Sequence, residues 1–374
     1  AVTLGTAAYN NVIIAYERFT VSKGVPIIQI IVRMALTVVM LKGGFGSVGI
    51  VMVNLLMTVV CRGFFIIYVL FRLKLRPKFK GIDISFVKEI ILYSSMILIQ
   101  MIATQLNATV DQILIGSLVA ASSAILAVYS VGTQVTQYFQ SMGTAFTGVL
   151  MPGIVKMVES VVDSKTLTDE MIRIGRIILI VLGLIWGGFL ACGQQFITLW
   201  AGADNSNAYF VAIILMTAYM FILTESIGTQ ILWAMNQHKE QAILKGIIVL
   251  LNILLTVVLI KWQPLIGATI GTFISLVLGD VVVMNVIFRK KLKMNLGYYY
   301  KGLTKGILPC IAVATAVGFV ARHFLKNGGW ISLLLEVAII CLVYAVCILM
   351  FGMNTYEKNM VLSVLRKFKP RRNK

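Results

Sequence analysis

Long, uninterrupted runs of apolar residues follow one another along nearly the whole chain. Each run holds roughly 17–25 residues, enough for a helix to cross about 30 Å of hydrocarbon. Because the runs are continuous rather than alternating, they favour helices over the strands of a closed barrel. With 59% hydrophobic and 13% charged residues among 374, the chain could not cover a water-exposed surface with polar groups. We therefore predict an all-α, polytopic transmembrane helix bundle.

Ten complete spans and one partial span are predicted. The complete spans are at 25–41, 47–71, 87–110, 123–150, 174–193, 208–233, 245–261, 264–288, 303–321 and 330–351. The chain opens without an initiator Met or a basic segment, so its start does not resemble a signal peptide. Residues 1–16 resemble instead the end of a span whose beginning is absent. The sequence is therefore expected to be a fragment that lacks its N-terminus.

Basic residues are concentrated in every second connection between the predicted spans. These connections hold 27 of the 33 Lys and Arg residues, whereas the opposite ones hold only Lys42, Lys261, Arg322 and Lys326. The positive-inside rule then places the basic side, and with it the C-terminus, in the cytoplasm. The net charge of +19 is thus interpreted as a topology signal and as contact with anionic membrane lipids, not as a nucleic-acid interface.

An internal repeat joins two distant parts of the chain. The segment LTVVMLK at 36–42 returns as LTVVLIK at 255–261, and both copies are followed by a turn, a further span and a basic end. At the same offset, Arg33 corresponds to Asn252. Both copies run outward from the cytoplasm, which predicts parallel repeats and two pseudo-symmetric lobes.

The predicted layout follows from the spans, the repeat and the basic connections. It comprises a remnant of the N-terminal lobe (1–71), a basic linker (72–88), a C-terminal lobe (89–288), a basic cytoplasmic loop (289–305), two trailing spans (306–352) and a basic tail (353–374).

Three stretches carry a family resemblance. LNATVDQILIGSLVAASSAILAVYSVGTQV (106–135), TAFTGVLMPGIVKM (144–157) and WAMNQHKEQAILKGI (233–247) resemble polysaccharide flippases of the multidrug/oligosaccharidyl-lipid/polysaccharide exporter superfamily. The resemblance implies two six-helix lobes around a central cavity, two extra C-terminal helices, and rocking between inward-open and outward-open states. It also implies an oligosaccharide on an undecaprenyl diphosphate carrier as substrate.

Polar residues form a stripe on each of two neighbouring spans. Gln100, Thr104, Asn107 and Asp111 lie at i, i+4, i+7 and i+11, on one face of a helix. Gln134 and Gln137 belong to a similar stripe on the next helix. The stripes can form a hydrogen-bonded seam between helices or the wall of a hydrated cavity that binds sugars. The second interpretation makes the candidate substrate-binding residues Gln100, Thr104, Asn107, Gln134 and Gln137.

Two arginines are predicted inside the membrane. Charges there are costly and usually face a cavity or a partner. Because guanidinium groups match phosphate oxygens, Arg33, with Arg62, is a candidate to bind the diphosphate of the substrate. The alternative is a buried ion pair with a carboxylate such as Asp111, Glu225 or Asp280.

Intramembrane carboxylates are candidates for ion coupling. Glu225 and Asp111 could bind H⁺ or Na⁺ during transport, although Asp111 could equally have a structural role at a helix end. Glu336 is predicted to serve helix pairing or a lipid groove. The five Cys and two His residues lack metal-like spacing, so no catalytic residue, metal site or cofactor is predicted.

The predicted function is a flippase for lipid-linked oligosaccharides in the bacterial inner membrane, serving capsule, exopolysaccharide or O-antigen synthesis. Polysaccharide polymerase or assembly proteins are possible partners. A cation-coupled multidrug antiporter of the same superfamily is one alternative, with fewer buried arginines expected. A polysaccharide polymerase is another, but it would need a large extracytoplasmic loop, and every predicted outer loop is short.

Overall fold

The computed structural model describes residues 2–16, 18–75, 83–119, 122–159, 163–235, 238–325 and 329–359. Within these ranges all regular secondary structure is helical, which confirms the predicted fold class. The α-helices are α1 (Val2–Ala15), α2 (Phe19–Lys42), α3 (Gly46–Ile67), α4 (Ile84–Leu118), α5 (Ser122–Glu159), α6 (Ser164–Ala201), α7 (Ala208–Thr224), α8 (Ser226–Ala234), α9 (His238–Ile260), α10 (Pro264–Leu276), α11 (Met284–Lys291), α12 (Leu296–Thr304), α13 (Ile307–Phe324) and α14 (Trp330–Cys347).

The chain divides into two compact units, Ala1–Lys88 and Glu89–Lys374. The first unit contains α1 to α3, and α3 continues into a π-helical segment, Tyr68–Arg72. A short turn joins α2 to α3 as a helical hairpin. Gly44 and Gly46 there have φ angles of +80° and +51°, a conformation that glycine adopts without a steric penalty.

The second unit is built around α6, which contacts α5, α7, α12, α13 and α14. Asp163 caps its N-terminus by accepting a hydrogen bond from the Thr166 amide at 3.0 Å, and this bonding lowers the pKa of Asp163. Near mid-helix, Gly187 faces α13 so closely that a Cβ would lie 2.6 Å from Thr315 Oγ1. Small residues at such crossings let membrane helices approach each other.

Seven helical segments among the described residues are long and apolar enough to cross a membrane. They are Thr20–Lys42, Gly46–Arg72, Ser164–Ala201, Ile243–Ile260, Pro264–Lys291, Ile307–Phe324 and Trp330–Gly352, and the bent pair α7–α8 makes an eighth if it is one span. These match eight of the ten predicted spans. The other two, at 87–110 and 123–150, lie within α4 and α5, which have 35 and 38 residues. The chain is a multi-pass membrane protein.

The span predicted at 208–233 is broken. Helices α7 and α8 meet at an angle of 43°, and Glu225, predicted near the middle of a continuous span, lies at the break. A break frees carbonyl groups that need new partners in an apolar setting. The Tyr299 hydroxyl supplies one by donating to the Thr224 carbonyl at 3.0 Å.

The region predicted as a basic loop, 289–305, contains the end of α11 and the whole of the short helix α12 with its N-cap. Asn295 caps α12 by accepting from the Tyr298 amide at 3.1 Å, and Tyr299 and Leu303 are buried. The span predicted at 303–321 begins instead at Ile307. The prediction missed α12 because its short length and the Lys residues around it resemble a loop, whereas Tyr299 and Leu303 bury one face.

Among the basic residues assigned to connections, Arg176 and Lys245 lie well inside helices and have carboxylate partners. Arg176 is buried in α6 and forms a salt bridge with Glu357 at 2.6 Å. It also donates to the carbonyls of Gly302, Lys305 and Gly352. Arg176 therefore ties α6 to α12 and to the chain after α14. Lys245 lies about two turns into α9 and belongs to the site described next.

Candidate functional site

A polar cavity of about 180 Å³ lies within the second unit, among α4, α5, α7, α9 and α10. Four residues of the predicted polar stripes line it: Thr104, Asn107, Asp111 and Gln137. Thr133, Thr136 and Gln140 of α5 add further hydroxyl and amide groups. Three residues of the first stripe and one of the second thus line one cavity, and part of the first stripe also forms a hydrogen-bonded seam.

Asp111 is the centre of that seam. Its buried carboxylate accepts hydrogen bonds from Tyr129 at 2.5 Å, from Thr256 at 3.0 Å and from Thr272. The amide of Asn252 extends the network by donating to Asn107 at 2.8 Å. Helices α4, α5, α9 and α10 therefore meet at one carboxylate without a cation beside it among the described ion pairs.

The hydroxyl hydrogens in the network around Asp111 are fewer than the oxygen–oxygen contacts in that network. The Thr256 hydroxyl lies 3.0 Å from Asp111 and 2.9 Å from Asn252 Oδ1, and Thr272 contacts the same two groups. Each hydroxyl has a single hydrogen to donate. With Tyr129, three hydrogens serve five contacts. A proton on Asp111 would supply a fourth hydrogen, and a small cation could be shared by several of these oxygens.

An ion pair borders the cavity on its other side. Lys245 Nζ lies 2.7 Å from the Asp280 carboxylate, and both side chains are largely buried. Asp280 lies in a π-helical segment, Val277–Val283, that links α10 to α11. Such segments are frequent at functional sites because they shift side chains out of the regular helical register.

Glu225 has an incomplete set of partners at the α7–α8 break. Its Oε1 accepts from Asn285 at 3.0 Å and from the hydroxyl of Tyr300 on α12. Among the described residues, Glu225 Oε2, Asn285 Oδ1 and Gln241 Nε2 are buried without a hydrogen-bond partner. Glu225 and Gln241 line a second cavity of about 140 Å³. Ile222, Lys245 and Asp280 line both cavities.

The remaining predicted residues lie elsewhere. Gln134 is exposed and donates to Tyr138 at 3.1 Å, outside the cavity lining. Gln100 lies in α4, but its side chain is outside the part of the chain that the structure describes. In the first unit, Arg33 is exposed on α2 and Arg62 is half-buried on α3. The predicted alternative was an ion pair between one of these arginines and Asp111, Glu225 or Asp280. Each of the three carboxylates instead has hydrogen-bond or ion-pair partners inside the second unit.

Sequence reasoning missed most of the groups that hold Asp111. Asn252 and Thr256 are four residues apart on α9, so their spacing could have indicated a polar face like the one on α4. Thr272 lies three residues from both Thr269 and Ser275 on α10, and Tyr129 lies four residues before Thr133 on α5. Their spacing could therefore also have indicated polar faces. Only the helix packing brings the four together.

The fold and cavity define a multi-pass helical membrane protein with a buried polar site. The chain belongs to the polysaccharide biosynthesis protein family, whose sequence profile matches residues 8–207. Its fold is also similar to a solved structure described as the lipid II flippase MurJ in an inward closed conformation, with a TM-score of 0.59 and 15% identity. That match covers 88% of this chain and 66% of the other. The sequence matches no curated protein. These two similarities confirm the resemblance indicated by the sequence motifs.

Proposed function

We propose that this protein is a flippase that moves oligosaccharides linked to undecaprenyl diphosphate across the bacterial inner membrane by alternating access. The product would enter capsule, exopolysaccharide or O-antigen synthesis. The observation that carries the proposal is a cavity lined by amides and hydroxyls in a member of a polysaccharide biosynthesis family. A purely hydrophobic pocket would suit an apolar drug better than a sugar.

The proposed division of roles follows side-chain chemistry. Sugar hydroxyls both donate and accept hydrogen bonds, and the amides and hydroxyls of Thr104, Asn107 and Gln137 can do the same. Gln100 and Gln134 are proposed to extend this polar lining in other states of the cycle. The diphosphate needs positive charge, which Arg33 and Arg62 in the first unit can supply.

Asp111 and Glu225 are the proposed ion-coupling residues. The shortage of hydrogens around Asp111 favours H⁺ or Na⁺ at that carboxylate, since either species would satisfy oxygens that now face each other. Glu225 offers a second protonation site through its unpartnered Oε2. Ion binding at buried carboxylates is a common way to couple transport to a gradient.

The proposed function is tested by complementation in a strain that lacks its own polysaccharide flippase. We expect the full-length protein to restore surface polysaccharide. Arg33→Ala in that protein should reduce the restored amount at least tenfold, because one diphosphate contact is lost. Arg72→Ala, at the end of the π-helical segment after α3, is the matched control and should restore fully. Drug resistance without polysaccharide would show a multidrug antiporter instead.

Ion coupling is tested with Asp111→Asn in vesicles that take up a fluorescent lipid-linked sugar. An amide keeps the shape of the carboxyl group but binds neither H⁺ nor Na⁺ well, so transport should lose its dependence on an imposed H⁺ or Na⁺ gradient. Asp204→Asn, at an exposed position after α6, should keep that dependence. If Asp111→Asn retained the wild-type gradient dependence, coupling would have to reside elsewhere.

A further inference from the structure

A third cavity lies between the C-terminal ends of α6 and α13, away from the proposed transport site. Its volume is about 680 Å³. The lining residues are Gln194, Gln195, Thr198, Leu199, Phe319, Arg322 and His323. Five of these seven side chains are polar, two of them can carry positive charge, and none is acidic. Such a lining is suited to an anion that also carries hydroxyl groups.

The position of this positive charge in the sequence is unusual. The side of the membrane opposite the basic connections has four Lys or Arg residues in the whole chain. Two of them, Arg322 and Lys326, are four residues apart in the sequence. Arg322 lies in the last turn of α13, next to His323. Positive charge is sparse on this side by the topology rule, so its concentration at one cavity needs a reason other than orientation.

The Arg322 guanidinium is held in place at the cavity. It donates to the Ala191 carbonyl at 3.1 Å and to Gln194 Oε1 at 3.5 Å, which occupies two of its five N–H groups. Glu336 of α14 is a buried carboxylate that interacts electrostatically with Arg322. However, no described ion pair joins the two residues, so the cavity side of the guanidinium remains suited to an anion.

Aromatic residues place the cavity at the membrane surface. Trp200, near the end of α6, is 41% exposed and stacks on Phe196 with ring centroids 5.6 Å apart. Trp330, at the start of α14, is 48% exposed. Tryptophan side chains collect at the boundary between hydrocarbon and headgroups. Arg322 and His323 therefore lie at the depth where lipid phosphates are found.

We propose that this cavity binds the phosphate group of an anionic phospholipid in the leaflet on the sparsely basic side. Arg322 would contact two phosphate oxygens through its planar fork, and His323 would donate to a third. The side chains of Gln194 and Thr198 would contact headgroup hydroxyls. The site serves lipid recognition and does not depend on the substrate proposed for transport.

Thermal unfolding of the detergent-purified protein tests this site with two probes, short-chain phosphatidylglycerol and inorganic phosphate. We expect phosphatidylglycerol to raise the melting temperature in a saturable way. Arg322→Gln should weaken its apparent affinity about tenfold, the change typical for the loss of a charge-assisted contact. His323→Gln, at an exposed position, should weaken it severalfold without affecting folding.

Lys261→Gln is the matched control, because Lys261 is an exposed basic residue on the same side but outside the cavity. It should bind phosphatidylglycerol as the wild type does. Equal stabilisation by inorganic phosphate would show that the phosphate alone is recognised, whereas stabilisation by the lipid only would show that the headgroup and chains contribute. Unchanged lipid affinity in both Arg322→Gln and His323→Gln would overturn the proposal.

Discussion

At the scale of single residues, three of the buried carboxylates in the second unit have three different kinds of partner. Asp111 is surrounded by hydroxyls, Glu225 by an amide and a phenol, and Asp280 by an ammonium group. A buried charge is costly unless it is compensated, and each of these three carboxylates has a different set of compensating groups. The sequence could locate all three acids by their position in apolar runs, but their partners come from other helices and were not predictable.

The Lys245–Asp280 ion pair leads to a prediction about the free energy of unfolding. Lys245→Met should destabilise the protein by about 2–3 kcal/mol, because it leaves the Asp280 carboxylate buried without its cation. The double variant Lys245→Met/Asp280→Leu should recover at least half of that loss, since it removes both charges. Denaturant unfolding of the purified protein measures both values.

Lys261→Met is the control for this pair, because Lys261 is exposed and has no described ion pair. It should change the free energy of unfolding by less than about 0.5 kcal/mol. A double variant as unstable as Lys245→Met alone would contradict the account given for the ion pair.

At the scale of helices, apolar run length predicted nearly every element, because the membrane thickness sets helix length. What it could not predict are the interruptions. The break at Glu225 depends on a tertiary partner, because the Tyr299 hydroxyl donates to the freed Thr224 carbonyl. No local sequence pattern marks the π-helical segment at Asp280. Helix α12 was missed for a related reason: its tyrosines Tyr299 and Tyr300 are anchored to the α7–α8 break by hydrogen bonds that no local pattern reveals.

Two adjacent glycines of α6 make opposite predictions for helix packing. A Cβ at Gly187 would lie 2.6 Å from Thr315 Oγ1, whereas at Gly188 it would meet only Ile340 at 3.9 Å. Gly187→Ala should therefore separate α6 from α13 and destabilise by about 1–3 kcal/mol. Gly188→Ala should be neutral or slightly stabilising, because alanine favours the helix. The melting temperatures of the two variants test this difference. Equal melting temperatures would contradict the close crossing of α6 and α13 at Gly187.

At the scale of the whole molecule, the charge distribution predicts orientation. The basic connections should face the cytoplasm, so an exposed position after α6 and an exposed position on α12 should lie on opposite sides. A membrane-impermeant maleimide should label Asp204→Cys in intact spheroplasts, and Lys301→Cys only after permeabilisation. The wild type, with its five native cysteines, provides the background signal. The reverse labelling pattern would invert the predicted topology.

The predicted division into lobes remains a prediction. The chain divides into compact units, Ala1–Lys88 and Glu89–Lys374. This boundary in the sequence falls at the end of the predicted basic linker, 72–88. The internal repeat and the charge pattern both led to that linker, since both are long-range features of the sequence. The contacts of Arg176 with α12 and the chain after α14 could not be predicted, because its sequence position resembles any basic helix end.

The wall shared by the two cavities of the second unit has a thermodynamic consequence. Lys245 and Asp280 border both cavities, so a ligand that draws the ammonium group toward one side withdraws it from the other. Linkage between two binding equilibria is reciprocal: each ligand changes the affinity of the other by the same factor. If a ligand in the Glu225 cavity changes the affinity of the Asp111 cavity by some factor, a ligand in the Asp111 cavity must change the affinity of the Glu225 cavity by that same factor.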